Sequence, residues 1–139
     1  VMHGDPADVI APKIADMAAR REAAGGAPMQ FGMAAYAIVR DSEAEAKREL
    51  ERITTVTDLP KGYANFDQWL SGTQLERELK IQEYSVSNRG LRPNLIGTPE
   101  QLKERIAEYE DAGLDLLLLQ MSPQAEEMER FAAQVMGRA

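Results

Sequence analysis

A short polar loop carries the side chains of this sequence that are best suited to binding a charged ligand. Residues 85–92 combine hydroxyls, an amide, two guanidinium groups and a glycine, from Ser85, Ser87, Asn88, Arg89, Gly90 and Arg92. Hydroxyls, a backbone N–H beside a permissive glycine and a forked guanidinium are suitable ligands for phosphate. The spacing matches neither a Walker-type nor a GxGxxG pattern, so a solvated polar loop stays open as the alternative.

Polar residues also stand at the ends of predicted strands. Ligands of parallel α/β proteins bind at the carboxyl ends of strands, and this rule selects His3, Arg40 with Asp41, and Gln120 with Ser122. An imidazole at this edge could act as a base or a hydrogen-bond donor, although a lone histidine is also commonly structural.

Tyr36 lies within a predicted strand of small residues. A buried tyrosine hydroxyl needs a hydrogen-bond partner. The ring therefore either faces a pocket or fills the space left by neighbouring alanines, and the sequence leaves both open.

The elements that position these residues follow from caps and apolar spacing. After the polar loop, Thr98 and Gln101 predict a capping box, Gly113 a left-handed C-terminal turn, and 116–119 a strand covered on both faces. A capped helix, a glycine turn and a buried strand in this order favour a parallel α/β fold.

The rest of the chain continues this alternation of helices and strands. The pattern predicts a first helix from Asp5–Pro6 to Gly25–Gly26, with a kink or restart at Pro12, and then a strand over Phe31–Val39. A second helix is predicted to be capped by Ser42 with Glu45 and to end near Thr55. The last helix is predicted to start at Ser122–Pro123 and to bury Met128, Phe131, Ala132 and Val135. The Glu, Lys and Arg residues of the second helix, Glu49 among them, are interpreted as a solvated face. The methionines at 17, 33, 121, 128 and 136 are interpreted as core residues.

The connection between residues 54 and 95 is unusually long for a compact α/β unit, and such connections tend to be functional or disordered. Its aromatic and leucine residues predict short helices near 65–71 and 73–82. The segment 84–94 has no periodicity and is predicted to be a mobile loop.

Composition excludes several classes of function. The 139 residues suit one domain, and the formal charge of −7 argues against nucleic-acid binding and against an anionic membrane surface. Without cysteine there is no disulfide or thiolate chemistry, and the single histidine excludes a multi-histidine metal site, so no metal is expected. No apolar run approaches the roughly 20 residues of a membrane helix. A soluble cytoplasmic protein is expected.

Three segments resemble the C-terminal portion of bacterial luciferase-like flavin monooxygenases: FGMAAYAIVRDSEAEA, then YSVSNRGLRPNLIGTPEQLKERIAEYEDAGLDLLLLQMSP, then EEMERFA. The stretch DQWLSGTQLE and the loop YSVSNRGLR resemble the dimethylsulfone monooxygenase subgroup, which is related to the alkanesulfonate monooxygenases.

The resemblance implies part of a (β/α)8 barrel. Val1–Gly4, Phe31–Val39 and Leu114–Gln120 would be its last three strands, within a single domain portion spanning 1–139, and 54–95 would be the family's insertion with a lid over the flavin. Three strands alone would expose a large apolar edge and face. We therefore expect the chain to exist as part of a fuller barrel; a small complete α/β domain is the alternative.

The implied activity uses FMN as FMNH2, delivered by a separate NAD(P)H-dependent reductase, with O2 and a small organosulfur compound. Dimethylsulfone, converted to methanesulfinate with C–S cleavage, is the substrate expected first. The alternatives are a luciferase-like oxidoreductase on an alkanesulfonate or non-sulfur substrate, a non-catalytic flavin-binding relative, or an inactive barrel fragment. Relatives of this kind are usually homodimers or homotetramers.

Site residues carry over by position. Arg89 matches the family's lid arginine, and with Ser87, Asn88 and Gly90 it forms the expected cofactor-binding set. The other positions depart from the alkanesulfonate enzymes: Tyr36 replaces a histidine, Ala34 an arginine, His3 a tryptophan and Ser122 a tyrosine. His3 and Tyr36 become the expected catalytic residues, and Gln120, Ser122 and Ala34 the expected substrate pocket. Loss of an arginine at Ala34 fits a neutral sulfone better than an anionic sulfonate.

Overall fold

A parallel three-stranded sheet with helices between its strands organises the chain. The computed structural model describes residues 1–55 and 90–137. In these ranges the elements are α1 Ala7–Ala23, β1 Gly32–Val39, α2 Glu43–Thr54, β2 Leu95–Gly97, α3 Pro99–Asp111, β3 Leu116–Gln120 and α4 Gln124–Gln134. The two short helices predicted at 65–71 and 73–82 lie outside the described residues.

Strand β1 is the centre of the sheet, whose order is β2–β1–β3. It runs parallel to β3, with Gly32 opposite Leu116 and Tyr36 opposite Gln120. On its other edge Met2 makes an isolated bridge to Met33, and β2 pairs further along with Ala37 to Val39. The parallel α/β class is confirmed, and the opening tetrapeptide contributes a single bridge where a strand end was expected. Strand β2 was not predicted, because three residues are too short to show periodicity.

One face of the sheet is packed by α1, α3 and α4. Its buried core includes Ile10, Ile14, Met33, Ala35, Leu95, Leu102, Tyr109 and Phe131. Two predicted caps are present. At α3 the Thr98 side chain accepts from the Gln101 N–H while the Gln101 side chain accepts from the Thr98 N–H, and at α2 the Ser42 side chain accepts from the Glu45 N–H. Gly113 adopts the left-handed turn expected of it, with φ of 90°.

Two expectations about the helices were wrong. Helix α1 does not restart at Pro12 but runs through it, with Ile10 and Ile14 on either side buried in the core, while a kink there stays a prediction. On α4, Met128 is 53% exposed, and so is Met136 just beyond the helix, while Glu127 takes a buried position. A charged residue is buried there because it meets an arginine at the end of β1, which apolar spacing cannot reveal.

Strand β3 is covered on one face only, so the expectation of two covered faces was wrong. Leu117 and Leu119 pack against the core, whereas Leu116 is 51% exposed and Leu118 46%. The exposed apolar face expected of a partial barrel is present in the described residues.

Tyr109 joins α3 to two other segments. Its hydroxyl lies 3.1 Å from the carbonyl oxygen of Asp5 and 2.9 Å from that of Pro93. Burial raises the pKa of Tyr109 to about 12, and the negative charges of Glu108, Asp5 and Asp8 add to this.

A dependence of stability on alkaline pH follows. The unfolded chain loses the Tyr109 proton near pH 10 and the folded protein only near 12, so the free energy of unfolding should fall as pH rises between these values. Below about pH 10 the contribution is fully present. Urea denaturation at a series of alkaline pH values, with wild type and Tyr109→Phe, measures it. The variant should show a shallower decline, and an identical slope would contradict the assignment.

Candidate functional site

Three of the predicted site residues lie on one face of the sheet. Ala34 is opposite Leu118 and Tyr36 opposite Gln120, and paired residues of parallel strands project to the same side. This is the face opposite α1, α3 and α4. We call it the open face and define it by Ala34, Tyr36, Leu116, Leu118 and Gln120. The structure therefore brings together one expected catalytic residue and two expected pocket residues.

Tyr36 occupies the end of the open face that α2 covers. Its ring is 7% exposed and packs in a cluster with Ile38, Ala46, Ile53 and Leu91. Tyr36 also acts on Arg52: the pKa of Arg52 is raised first by its hydrogen bond to Glu49, and the charge of an ionised Tyr36 contributes in the same direction. The ring is thus packed beneath a helix, with a guanidinium within electrostatic range.

Gly90 lies directly against β1. Its carbonyl oxygen accepts a hydrogen bond of 2.8 Å from the Tyr36 N–H, and its φ is 69°. A Cβ at this position would meet the Cα of Ala35 at 3.1 Å. Gly90 is therefore the point at which the expected cofactor loop joins the sheet. Ser87, Asn88 and Arg89, the other members of that expected set, lie outside the described residues.

The segment that follows Gly90 is packed, in contrast to the mobile loop expected to reach residue 94. Leu91 is 4% exposed, and Pro93 is buried. Arg92, considered above for phosphate binding, instead pairs with Asp5 at 3.1 Å. Asp5 also accepts from Lys13 at 3.0 Å, so its carboxylate joins this segment to α1.

His3 and Ser122 lie outside the strands that form the open face. His3 is exposed and lines an open groove of about 500 Å³ beside α1, together with Ile10, Lys13 and Met17. Ser122 is exposed in the turn between β3 and α4, where its carbonyl oxygen accepts from Arg52 at 3.4 Å. Proximity of these two side chains to Tyr36 stays a prediction.

A set of ion pairs at the carboxyl end of β1 was not foreseen. Arg40 donates to Glu127 of α4 at 2.6 Å and lies 3.5 Å from Glu49 of α2. The Glu49 carboxylate also accepts two hydrogen bonds from Arg52, one from Nη2 at 2.6 Å and one from Nε at 3.0 Å. The pKa of Glu49 is lowered first by its hydrogen bond to Arg52, burial opposes this, and Arg40 adds to it.

The interpretation of Glu49 as part of a solvated face was therefore wrong, since its side chain is only 15% exposed. A signal was available in the arginine that directly follows an apolar strand. Its partners were hidden, because Glu127 lies 87 residues away in sequence.

No helix in the described ranges is long and apolar enough to cross a membrane. Residues 1–55 and 90–137 also contain no group of three or more His, Cys, Asp or Glu side chains arranged to hold a metal ion.

Comparison with known proteins assigns the fold to a family. The profile of luciferase-like monooxygenases matches residues 1–116. The chain belongs to the luciferase-like monooxygenase family. Among solved structures, a long-chain alkane monooxygenase superimposes with a TM-score of 0.68 at 16% identity, over 97% of this chain and 34% of that one. The sheet and helices described above are accordingly part of a (β/α)8 barrel.

Curated luciferase-like relatives are similar over almost the whole of this chain. The FMNH2-dependent dimethylsulfone monooxygenase of Pseudomonas putida is 29% identical over 96% of the chain. The sulfoquinovose monooxygenase of Novosphingobium aromaticivorans is 28% identical over 98%. The chain spans 39% and 42% of the length of these two relatives.

The open face suits a planar apolar group. Leu116 and Leu118 present exposed apolar side chains beside the small side chain of Ala34, and Gln120 adds an uncharged amide next to them. Such a surface can pack against the ring portion of a flavin or against a small neutral ligand, and the amide can hydrogen-bond to a polar atom of either. Neither the leucines nor the amide supplies a cationic group for a phosphate.

Proposed function

We propose that the complete protein is an FMNH2-dependent monooxygenase that oxygenates a small organosulfur compound, with dimethylsulfone as substrate. The present chain would form the C-terminal part of one barrel domain, with 54–95 as an insertion that ends in a lid. Family membership supports the reaction class, and similarity to the Pseudomonas putida enzyme supports the reduced flavin and the sulfone.

The observation that carries the choice of substrate is the absence of charge on the open face. Among the described strand positions on the same side of the sheet as the open face, none is charged: Gly32, Ala34, Tyr36, Ile38, Ile96, Leu116, Leu118 and Gln120. A buried sulfonate anion would need a cationic partner, because an unpaired charge is costly away from water. A neutral sulfone needs only hydrogen bonds and apolar contact, which this face provides.

The reaction balances with one O2 and one reduced flavin. Dimethylsulfone, O2 and FMNH2 give methanesulfinic acid, formaldehyde, water and FMN; one methyl carbon is hydroxylated and its C–S bond breaks. When bound, the flavin supplies the two electrons and the activation of O2, and the protein orients the substrate and excludes water.

The residues of this chain are proposed to divide that work. Gln120, Ser122 and Ala34 would border the sulfone, with the Gln120 amide donating to a sulfone oxygen. Tyr36 and His3 are the groups proposed to hold or move a proton. The flavin would be held by Arg89, Ser87, Asn88 and Gly90. An NAD(P)H-dependent flavin reductase is the proposed partner, which favours a cytoplasmic location, and a homodimer or homotetramer the proposed assembly.

A sulfonate is the second candidate substrate. It is supported by the similarity to a sulfoquinovose monooxygenase, whose identity to this chain is almost the same. Arg52, which interacts electrostatically with Tyr36 and donates to the Ser122 carbonyl, is the cation we propose to serve such an anion. The two candidates differ in substrate charge, so one assay separates them.

Product formation tests the proposal. The complete protein, an NAD(P)H-dependent flavin reductase, FMN and O2 should convert dimethylsulfone to equal amounts of methanesulfinate and formaldehyde, followed by NMR. Methanesulfonate at the same concentration is the charged control and should give no product. Reduced-FMN binding is measured in parallel by fluorescence quenching. Intact binding without any sulfone-dependent product would reject the sulfone, and turnover of the sulfonate alone would select the second candidate.

A further inference from the structure

The strand-end ion pairs connect α2, which packs on the side of the sheet that carries Tyr36, with α4, which packs on the other side. The Arg40 side chain, directly after β1, contacts Glu49 on α2 and Glu127 on α4, and the Arg40 backbone N–H donates to the Gly97 carbonyl at 3.0 Å. The guanidinium therefore contacts two helices, and the backbone of the same residue is bonded to β2. Its planar, forked shape allows it to serve two carboxylates at once, which an ammonium group cannot do with the same geometry.

Each of these helices controls a different expected pocket residue. Helix α2 covers Tyr36, which packs against Ala46 and Ile53. Only three residues separate Gln120 from the start of helix α4, so the position of α4 determines that of the intervening turn and of Ser122. Arg52 lies 2.6 Å from Glu49 and also donates to the Ser122 carbonyl at 3.4 Å, which adds a second connection between α2 and the turn.

The exposure of the charged groups argues for a positioning role beyond simple stability. Side-chain exposure is 16% for Arg40, 15% for Glu49 and 9% for Glu127. Ion pairs this far from water gain little net stability, because desolvation offsets their attraction, and apolar residues of similar volume often serve stability as well. What apolar residues do not supply is directional contact to two helices.

From this arrangement we infer that Arg40 is a positioning residue, which acts through Glu127 and Glu49 to hold Tyr36 and the Gln120–Ser122 turn at a set distance across the pocket. The inference rests on the proposed function for the identity of the pocket, while the mechanical coupling stands on the contacts alone. Arg40 itself would touch neither substrate nor cofactor.

The test compares an apolar replacement of the ion pair with its single variant, in the complete protein. Arg40→Met leaves Glu127 buried without its main partner and should lower Tm by about 5–10 °C. Arg40→Met with Glu127→Leu removes both charges and should recover most of that loss. Arg48→Met is the matched control, since Arg48 lies on α2 with a side chain 68% exposed, and it should change nothing.

The decisive reading is the yield of methanesulfinate per FMNH2 oxidised. A positioning role predicts that the double variant, despite its recovered Tm, loses roughly tenfold to a hundredfold in yield, because small displacements of pocket groups are costly to catalysis. Its reduced-FMN affinity should stay close to wild type. Recovery of yield together with Tm would overturn the inference and leave the ion pairs a purely structural role.

A second reading is independent of activity. Amide hydrogen exchange of the peptide covering residues 120–127 should be about tenfold faster in the double variant than in wild type, since the turn has lost its connection to β1. If wild type makes no sulfinate, the proposed function fails and the exchange rates alone decide the inference: unchanged exchange refutes it. If the double variant does not fold, Arg40→Lys, which keeps the charge without the fork, should show the same faster exchange, and wild-type exchange in it would refute the inference.

Discussion

Replacing Gly90 by alanine should lower the free energy of unfolding by about 2–4 kcal/mol. Two costs combine at this position. A φ of 69° is unfavourable for any residue with a Cβ, and the new atom would stand 3.1 Å from both the Ala35 Cα and the Tyr36 nitrogen. These neighbours are backbone atoms of the central strand, so they cannot move aside without disturbing the sheet.

The chain contains a matched control for the first of these costs. Gly25 has nearly the same φ, 68°, but no atom lies within 4 Å of the position its Cβ would take. Gly25→Ala should therefore cost only about 1–2 kcal/mol, which measures backbone strain without crowding. Urea denaturation of both variants gives the difference. Equal losses would mean that contact with β1 contributes nothing to the requirement for glycine at position 90.

Gly90→Ala should also weaken binding of reduced FMN, if the proposed cofactor set is correct. The carbonyl of Gly90 is hydrogen-bonded to the Tyr36 N–H, so displacing it moves the point from which the loop with Arg89 begins. Gly25 lies beyond the end of α1, away from that loop, and its variant should bind flavin normally. A loss of stability with unchanged flavin affinity would remove Gly90 from the cofactor set.

The second large effect is expected at Leu118. In the complete protein, Leu118→Ala should cost about 2–5 kcal/mol, the range for a fully buried leucine, although the side chain is 46% exposed in the present chain. The reason is that this sheet is part of a barrel. Side chains on the open face would then point into the barrel interior, where residues from the other strands pack around them.

Met29 is the control for an apolar side chain of equal exposure. It lies between α1 and β1 and is 45% exposed, but it is not on the open face. Met29→Ala should change the free energy of unfolding by no more than about 0.5 kcal/mol, as usual for surface positions. Denaturation midpoints of the two variants in the complete protein provide the comparison. A Leu118→Ala loss as small as that of Met29→Ala would contradict burial of the open face.

Local chemistry made much of the secondary structure predictable. The N-cap of α2 and the capping box of α3 use contacts between residues three apart, so Ser42 with Glu45 and Thr98 with Gln101 are visible in the sequence itself. The apolar run of β1 similarly predicts a buried central strand. Family resemblance then identified the fold as part of a barrel, which local pattern alone left as a general α/β architecture.

The candidate site was predicted less completely, because its geometry depends on distant pairs. Placement of Ala34, Tyr36 and Gln120 on one face follows from strand alternation once the register of β1 and β3 is known. Residue spacing does not specify that register. Nor could it show that His3 lies beside α1, or that the ring of Tyr36 is packed under α2.

The sequence by itself determined the helices with their caps, the apolar central strand, and the place of Gly90 in the expected cofactor loop. Each of these rests on interactions among near neighbours in the chain or on a familiar pattern. Only the tertiary structure decided that Gly90 abuts the Tyr36 backbone, that one face of β3 is exposed, and that Arg40 joins Glu49 to Glu127. The physical reason is the same in all three cases. Burial and ion pairing are properties of which surfaces meet, and residues far apart in the chain meet only when the sheet has formed.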